Sequence, residues 1–236
     1  RVGEGPLPTE LVDAMGAPGD AEDMADAAVR LGMAHARVAR FNGKPTHRPV
    51  GIEKLIRALK DKTDRSEGWA ELGLALVDRR DFVGAIAAFQ RLEVLEPDGV
   101  LFRIEYAEAL EAIGRLDEAE RQLRKAVALR PDYRIAWGNL ANLLQKQQRH
   151  EEAEGVYGKA DALAPHLALT AHNRGYNALG RGDTAAALRW FEEGIRRDAT
   201  TPGGYFNLGT LAIKTGDLTT ARGHFEARED VRPFLA

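Results

Sequence analysis

Residues 66–99 read SEGWAELGLALVDRRDFVGAIAAFQRLEVLEPDG, a 34-residue stretch that closes on a proline and then starts again. Pro97, Pro131 and Pro165 stand 34 residues apart, and Pro233 falls two further periods along. A fixed period of this size marks a repeat architecture, in which each unit buries its apolar face only against its neighbours. With the first unit set at Ser66, five registers begin at Ser66, Val100, Arg134, Ala168 and Pro202.

Equivalent positions carry equivalent residue types. Position four reads Trp69, Arg103, Trp137, Ala171 and Tyr205; position eight reads Gly73, Ala107, Ala141, Gly175 and Gly209. Position twenty is Ala85, Ala119, Ala153, Ala187 and Ala221, and position twenty-four is Phe89, Leu123, Tyr157, Phe191 and Phe225. Small residues at eight and twenty let two antiparallel helices approach closely, while the larger side chain at twenty-four fills the space beside them. Gly114-Arg115-Leu116-Asp117, Gly180-Arg181-Gly182-Asp183 and Gly216-Asp217 fall where the first helix of each pair should end and the second begin. The proline then stops the second helix.

The pattern W-x-x-L-G at Trp69, Leu72 and Gly73, followed by Ala85, Phe89 and Pro97, resembles the tetratricopeptide repeat family over residues 66–235. The resemblance implies an all-α fold, a right-handed superhelical solenoid of antiparallel helix pairs. Upstream, residues 1–20 are expected to be a flexible lead-in, left when a signal, anchor or further domain was removed or by a choice of boundary. Residues 21–65 are expected to form a divergent helix pair, a degenerate capping repeat, since Met24, Ala28, Leu31, Ala34 and Val38 recur at helical spacing and Ile52, Leu55, Ile56 and Leu59 share one side.

The family lines its concave face with positions two, five, six, nine, twelve and thirteen of the first helix. Position six reads Glu71, Glu105, Asn139, Asn173 and Asn207. The three asparagines resemble the ladder in the repeat domain of the O-linked N-acetylglucosamine transferase, which implies that they hold the backbone of an extended peptide. An amide suits that task because it offers the donor and the acceptor that each peptide unit requires. Asn142, at position nine, extends the track, and Gln145 and Lys146 continue it. Upstream the same face is acidic: Glu71, Glu105, Glu108 and Glu111 favour a partner segment with basic side chains. An amide on a polar face and a solvated acidic face are the plain alternatives. Arg103 stands where an aromatic is expected and Arg174 where a buried leucine is expected, so each must snorkel or find an acidic or carbonyl partner. Near His172, Arg174 and Tyr176 the reading is either a loosened fourth repeat or a side pocket. The carboxylate-clamp subgroup is not matched, because Gly138, Gly203 and Asn207 stand where it wants lysine or arginine.

Other function classes find little support. The net charge of −3 gives no global pull towards nucleic acid or an anionic membrane. No run approaches the roughly 20 apolar residues of a membrane span, so no direct membrane insertion is expected. There is no cysteine, and the single serine, Ser66, is placed to cap the first regular helix. The six histidines form no zinc spacing, so neither metal nor cofactor is expected, and no catalytic residue is assigned. Gly180 and Gly182 belong to a turn rather than a phosphate loop. The expected function is a non-enzymatic protein-interaction scaffold that binds an extended, basic-leaning peptide segment of a partner. The alternatives are a substrate-recruiting arm of a larger enzyme, a periplasmic assembly chaperone of the cytochrome c biogenesis type, and a homo-oligomerising scaffold. Cytoplasm and bacterial periplasm both remain open.

Overall fold

The computed structural model describes residues 65–231 together with Leu55, Ile56 and Leu59. Among these every regular element is a helix: α1 Ser66–Asp78, α2 Phe82–Leu95, α3 Leu101–Ala112, α4 Leu116–Leu129, α5 Arg134–Lys146, α6 His150–Leu163, α7 Ala168–Gly180, α8 Thr184–Arg197, α9 Pro202–Thr215 and α10 Leu218–Val231. The odd-numbered helices begin within one residue of the five register starts. Leu55, Ile56 and Leu59 are helical, with Leu55 and Leu59 buried. The rest of the expected helix pair, the lead-in and Pro233 lie outside the described residues.

The chain forms two compact units, residues 1–122 and 123–236. In the first, α1 packs on α2 and α3, and α2 on α3. In the second, α5 pairs with α6, α7 with α8 and α9 with α10; α6 meets α7, α8 meets α9, and the first helices α5 and α7 touch directly. Turns of two or three residues join the helices of each pair and make them antiparallel.

One turn geometry recurs five times. Position fifteen is left-handed in every repeat, at Arg80 (φ 61°), Gly114 (80°), Gln148 (63°), Gly182 (76°) and Gly216 (85°). From it the N–H reaches back three residues, and the next N–H reaches back five: Asp81 to Leu76, Arg115 to Leu110, Arg149 to Leu144, Asp183 to Ala178 and Asp217 to Ala212, each at 2.9 Å. This paired closure satisfies carbonyls that a helix end would otherwise expose. Glycine adopts the conformation without steric cost, whereas Arg80 and Gln148 are forced into it by the same closure. Position sixteen then starts the second helix in two ways. Asp81, Asp183 and Asp217 accept from the backbone N–H of Gly84, Ala186 and Thr220. Arg115 and Arg149 instead bind Glu118 and Glu152 three residues on. Ser66 departs from expectation: Arg65 occupies the cap position of α1 and no side chain caps the helix, Ser66 being already its first residue.

The cores explain the repeat pattern. A β-carbon at Gly73 would lie 2.5 Å from the Phe89 ring, one at Gly209 2.8 Å from the Phe225 ring, and one at Gly175 would overlap the Phe191 ring. Glycine at position eight therefore gives the phenylalanine a flat seat. Ala85, Ala119, Ala153 and Ala187 are fully buried at position twenty.

Arg103, fully buried, finds partners for both terminal nitrogens of its guanidinium, while its Nε stays unpaired. Its guanidinium donates to Glu93 Oε1 at 2.8 Å, Gln122 Oε1 at 2.5 Å and the Pro97 carbonyl at 2.6 Å, and lies over Phe102. In the next repeat the indole N–H of Trp137 donates to the Pro131 carbonyl at 2.8 Å, from the same position to the equivalent oxygen. The arginine thus keeps the tryptophan's bond to the inter-repeat proline. Arg174 is held as well, by Glu154 at 2.5 Å and Asp161 at 3.4 Å, with its guanidinium stacked 3.6 Å from the Trp190 ring centroid. Arg197 reaches the same Asp161, so the fourth repeat is bound at Arg174 rather than loosened there.

Candidate functional site

The predicted amides lie on the first helices of the second unit: Asn139 and Asn142 on α5, Asn173 on α7 and Asn207 on α9. Residues at positions two, five, six, nine and twelve follow one another along one side of such a helix. Two links between consecutive repeats connect the same pair of positions, with donor and acceptor exchanged. Asn173 donates from Nδ2 to Asn142 Oδ1 at 3.1 Å, and Tyr176 donates its hydroxyl to Asn207 Oδ1 at 2.6 Å. Each joins position nine of one repeat to position six of the next.

These links orient the amides and leave part of each unused. Asn142 Oδ1 also lies 2.6 Å from the Tyr157 hydroxyl, which is 2.7 Å from Gln145 Oε1 and donates its single hydrogen to one of the two at a time. Burial, with Glu154 nearby, pushes the Tyr157 phenol well above its ordinary range, so it stays protonated. Asn173 retains its carbonyl and Asn142 its N–H group, no hydrogen bond engages the Asn139 amide among the described residues, and Asn207, bonded to Tyr176, is largely buried at 7% exposure. The sequence singled out these asparagines but not the bonds tying Asn173 and Asn207 to position nine of the preceding repeat, because that position carries Asn142 in one repeat and Tyr176 in the next.

Two further features escaped the sequence. Asn177 is fully buried and structural: its Oδ1 accepts from His150 Nδ1 at 3.0 Å and its Nδ2 donates to the His150 carbonyl at 2.9 Å. Its place at position ten, off the exposed face, was the available signal. Apolar side chains also accompany the amides: beside Tyr176, which the sequence did single out and which is 47% exposed, Leu169 is 62% exposed, Phe206 46% and Ile213 52%. They occupy positions nine, two, five and twelve, so the polar track is interleaved with apolar surface.

In the first unit, Glu108 on α3 is exposed, whereas Glu71 on α1 and Glu105 and Glu111 on α3 are half-buried and engaged within the protein. The acidic row is thus one open carboxylate flanked by three that already interact. Among the described residues no group of acidic and histidine side chains is arranged to hold a metal ion, and no helix is long and apolar enough to cross a membrane.

A family model described as Tetratricopeptide repeat matches residues 70–132, 104–168 and 172–230. The chain belongs to the tetratricopeptide repeat family. It is 24% identical over 170 residues to Protein bimA of Emericella nidulans and 24% identical over 175 residues to the human Protein O-mannosyl-transferase TMTC3. These alignments cover 71% and 68% of the chain, which spans only 21% and 19% of the lengths of those two proteins. It is 21% identical over 178 residues to the Type IV pilus assembly protein PilF of Pseudomonas aeruginosa, covering 75% of this chain and 71% of that one. The solved structure of P. aeruginosa PilF superposes with a TM-score of 0.67 at 15% identity, over 89% of this chain and 94% of that one. YrrB, described as a TPR protein with an unusual peptide-binding site, gives a TM-score of 0.58 at 14% identity, over 76% and 92%. At these identities the structural likeness speaks for the tetratricopeptide solenoid fold.

Proposed function

We propose that the second unit binds an extended segment of a partner protein along α5, α7 and α9. Asn139, Asn142, Asn173 and Asn207 would engage its backbone, and Tyr176 would pack against its side chains. The observation that carries this reading is the repeated bond from position nine to position six. It fixes the rotamers of Asn173 and Asn207 before any ligand arrives, which lowers the ordering cost of binding. Each amide contact with a peptide unit contributes roughly 0.5–1.5 kcal/mol. Several are therefore needed for useful affinity, and a row of repeats supplies them. The family membership and the peptide-binding site named for YrrB support a scaffold role, with no catalytic residue assigned.

In the first unit, Glu108 with Glu71, Glu105 and Glu111 favours basic side chains on a bound segment. Binding that runs through them weakens as ionic strength rises. Partner capture with the intact protein and with the Asn139, Asn173 and Asn207 triple alanine variant tests the main proposal. A partner lost from the variant at unchanged helicity supports it, and a partner retained with equal affinity overturns it.

A second reading, recruitment of substrate to a catalytic domain elsewhere in a longer protein, takes its support from the likeness to TMTC3, of which this chain spans a fifth. A transferase assay on the longer protein carrying the triple substitution separates the two readings, since a recruiting arm loses turnover as well as binding. A homo-oligomer, with one molecule's segment filling another's face, would show as a concentration-dependent mass in light scattering.

A further inference from the structure

His172 occupies position five of α7, beside Asn173 on the helix face described above, yet it is buried at 7% exposure. Its ring is wedged into a slot made by two glycines. A β-carbon at Gly194 of α8 would collide with Nε2 and Cδ2, and one at Gly204 of α9 would come within 3.0 Å of Cε1. Phe191 of α8 closes the slot edge-on, with ring centroids 6.5 Å apart. Nε2 is buried and has no hydrogen-bond partner. The imidazole therefore acts as a packing wedge at the joint of three helices, filling space that larger residues at 194 and 204 would occupy.

We propose that this joint is a proton-sensitive latch: charging His172 opens the contact of α9 with α7 and α8 and loosens the terminal helix pair. An imidazolium carries an N–H on both nitrogens, and the one on Nε2 would point at glycine carbon with no protein acceptor. The charged groups that could answer it are few. On α7 itself the neighbouring cation, Arg174, is committed to Glu154 and Asp161. On α8, Glu193 and Arg197 pair with each other, and Arg197 also binds Asp161. On α9 the first charged side chain is Lys214, about three helical turns from Gly204. Asp198, just past α8, is the one carboxylate acting on the ring, and its oxygens already accept from the Thr200 N–H and the Thr200 and Thr201 hydroxyls. Burial outweighs Asp198 and holds the imidazole below its ordinary range.

The sign follows from linkage. The unfolded or opened form takes up a proton near the ordinary histidine value of about 6.5, whereas the closed form resists it. Closure is therefore undiminished above that pH. It is lost as pH falls below it, and the loss levels off once pH drops beneath the lowered value of the closed state. Within that window the opening constant rises by up to about tenfold per pH unit, the slope of one proton.

α9 also carries Asn207, so opening would withdraw that amide from the face and break its bond to Tyr176; this consequence rests on the peptide-binding reading above, while the latch itself does not. Two measurements on the intact protein test it. The first is an NMR titration of the His172 Cε1 proton, with the midpoint expected below the ordinary value. The second is amide exchange of α9 and α10, corrected for the intrinsic pH dependence, at pH 7.5 and 5.0 in the wild type and in His172→Leu. Faster opening at low pH in the wild type alone supports the latch. An ordinary midpoint, or the same acid response in the leucine variant, overturns it. If opening is proton-linked but peptide affinity at pH 5.0 is undiminished, the latch stands and the assignment of Asn207 to the peptide fails.

Discussion

The Tyr176 hydroxyl donates to Asn207 Oδ1 at 2.6 Å, tying α7 to α9 across a repeat boundary on the face proposed to bind peptide. Tyr176→Phe removes the donor and leaves the rest of the ring in place. Tyr176 is half exposed but Asn207 is buried, so water replaces the lost bond poorly, and the loss of stability should be about 1–3 kcal/mol in urea denaturation. Partner affinity should fall further than stability does, because Asn207 is then free to rotate. Equal affinity in calorimetry would remove the pre-orientation argument.

Gly175→Ala brings a methyl into the Phe191 ring, which is itself fully packed. Overpacking of this kind costs about 1–3 kcal/mol. Combining it with Phe191→Leu should recover part of the loss, and a double-mutant cycle by thermal or chemical denaturation measures that coupling.

Arg80 and Gln148 hold left-handed backbone that glycine holds in the other three repeats. Gln148→Gly trades steric relief against a more flexible unfolded chain, with a net gain of about 0.5–1 kcal/mol expected. Gly114→Ala should show the opposite sign at a similar size.

Truncating Arg103 to methionine leaves Glu93 and Gln122 facing an apolar stem, and about 3 kcal/mol of destabilisation is expected. Arg103→Trp should be milder despite its bulk, because an indole N–H can return the bond to the Pro97 carbonyl, as Trp137 does to Pro131. Guanidinium denaturation of the two variants distinguishes loss of charge pairing from loss of that single donor.

Acid should weaken the last turn. Bonds from the Thr220 hydroxyl and backbone N–H hold the Asp217 carboxyl below its ordinary value. Its contribution is therefore complete above that value, about 3.9, and disappears as pH falls through the lower folded-state value. The amide introduced by Asp217→Asn caps the helix without titrating, so the acid loss of helicity by circular dichroism should be smaller in the variant.

The period of prolines, the small residues at eight and twenty and the aspartate turns made the helix pairs legible, because these positions answer to local geometry that every repeat shares. The face was legible only in part. Asn139, Asn173 and Asn207 stand out by register, but whether an amide is bonded depends on its neighbour one repeat away, and there the sequence alternates between Asn142 and Tyr176. Burial of His172 was hidden for a similar reason: position five faces outward in the family pattern, and it turns inward here because Gly194 and Gly204, on two other helices, leave it room. Ser66 misled because a serine at a helix start reads as a cap, while the helix begins one residue earlier than that role requires.

Wherever position eight is glycine, at Gly73, Gly175 and Gly209, position twenty-four is phenylalanine; where it is alanine, at Ala107 and Ala141, the partner is Leu123 or Tyr157. The seat described above thus makes each hairpin an indivisible unit of inheritance. A genetic crossover between positions eight and twenty-four of the first and second repeats would join Ala107 to Phe89 or Gly73 to Leu123, so that seat and side chain no longer match. A crossover in the linker after the proline carries both residues together, and so shuffles whole surfaces without disturbing a single core.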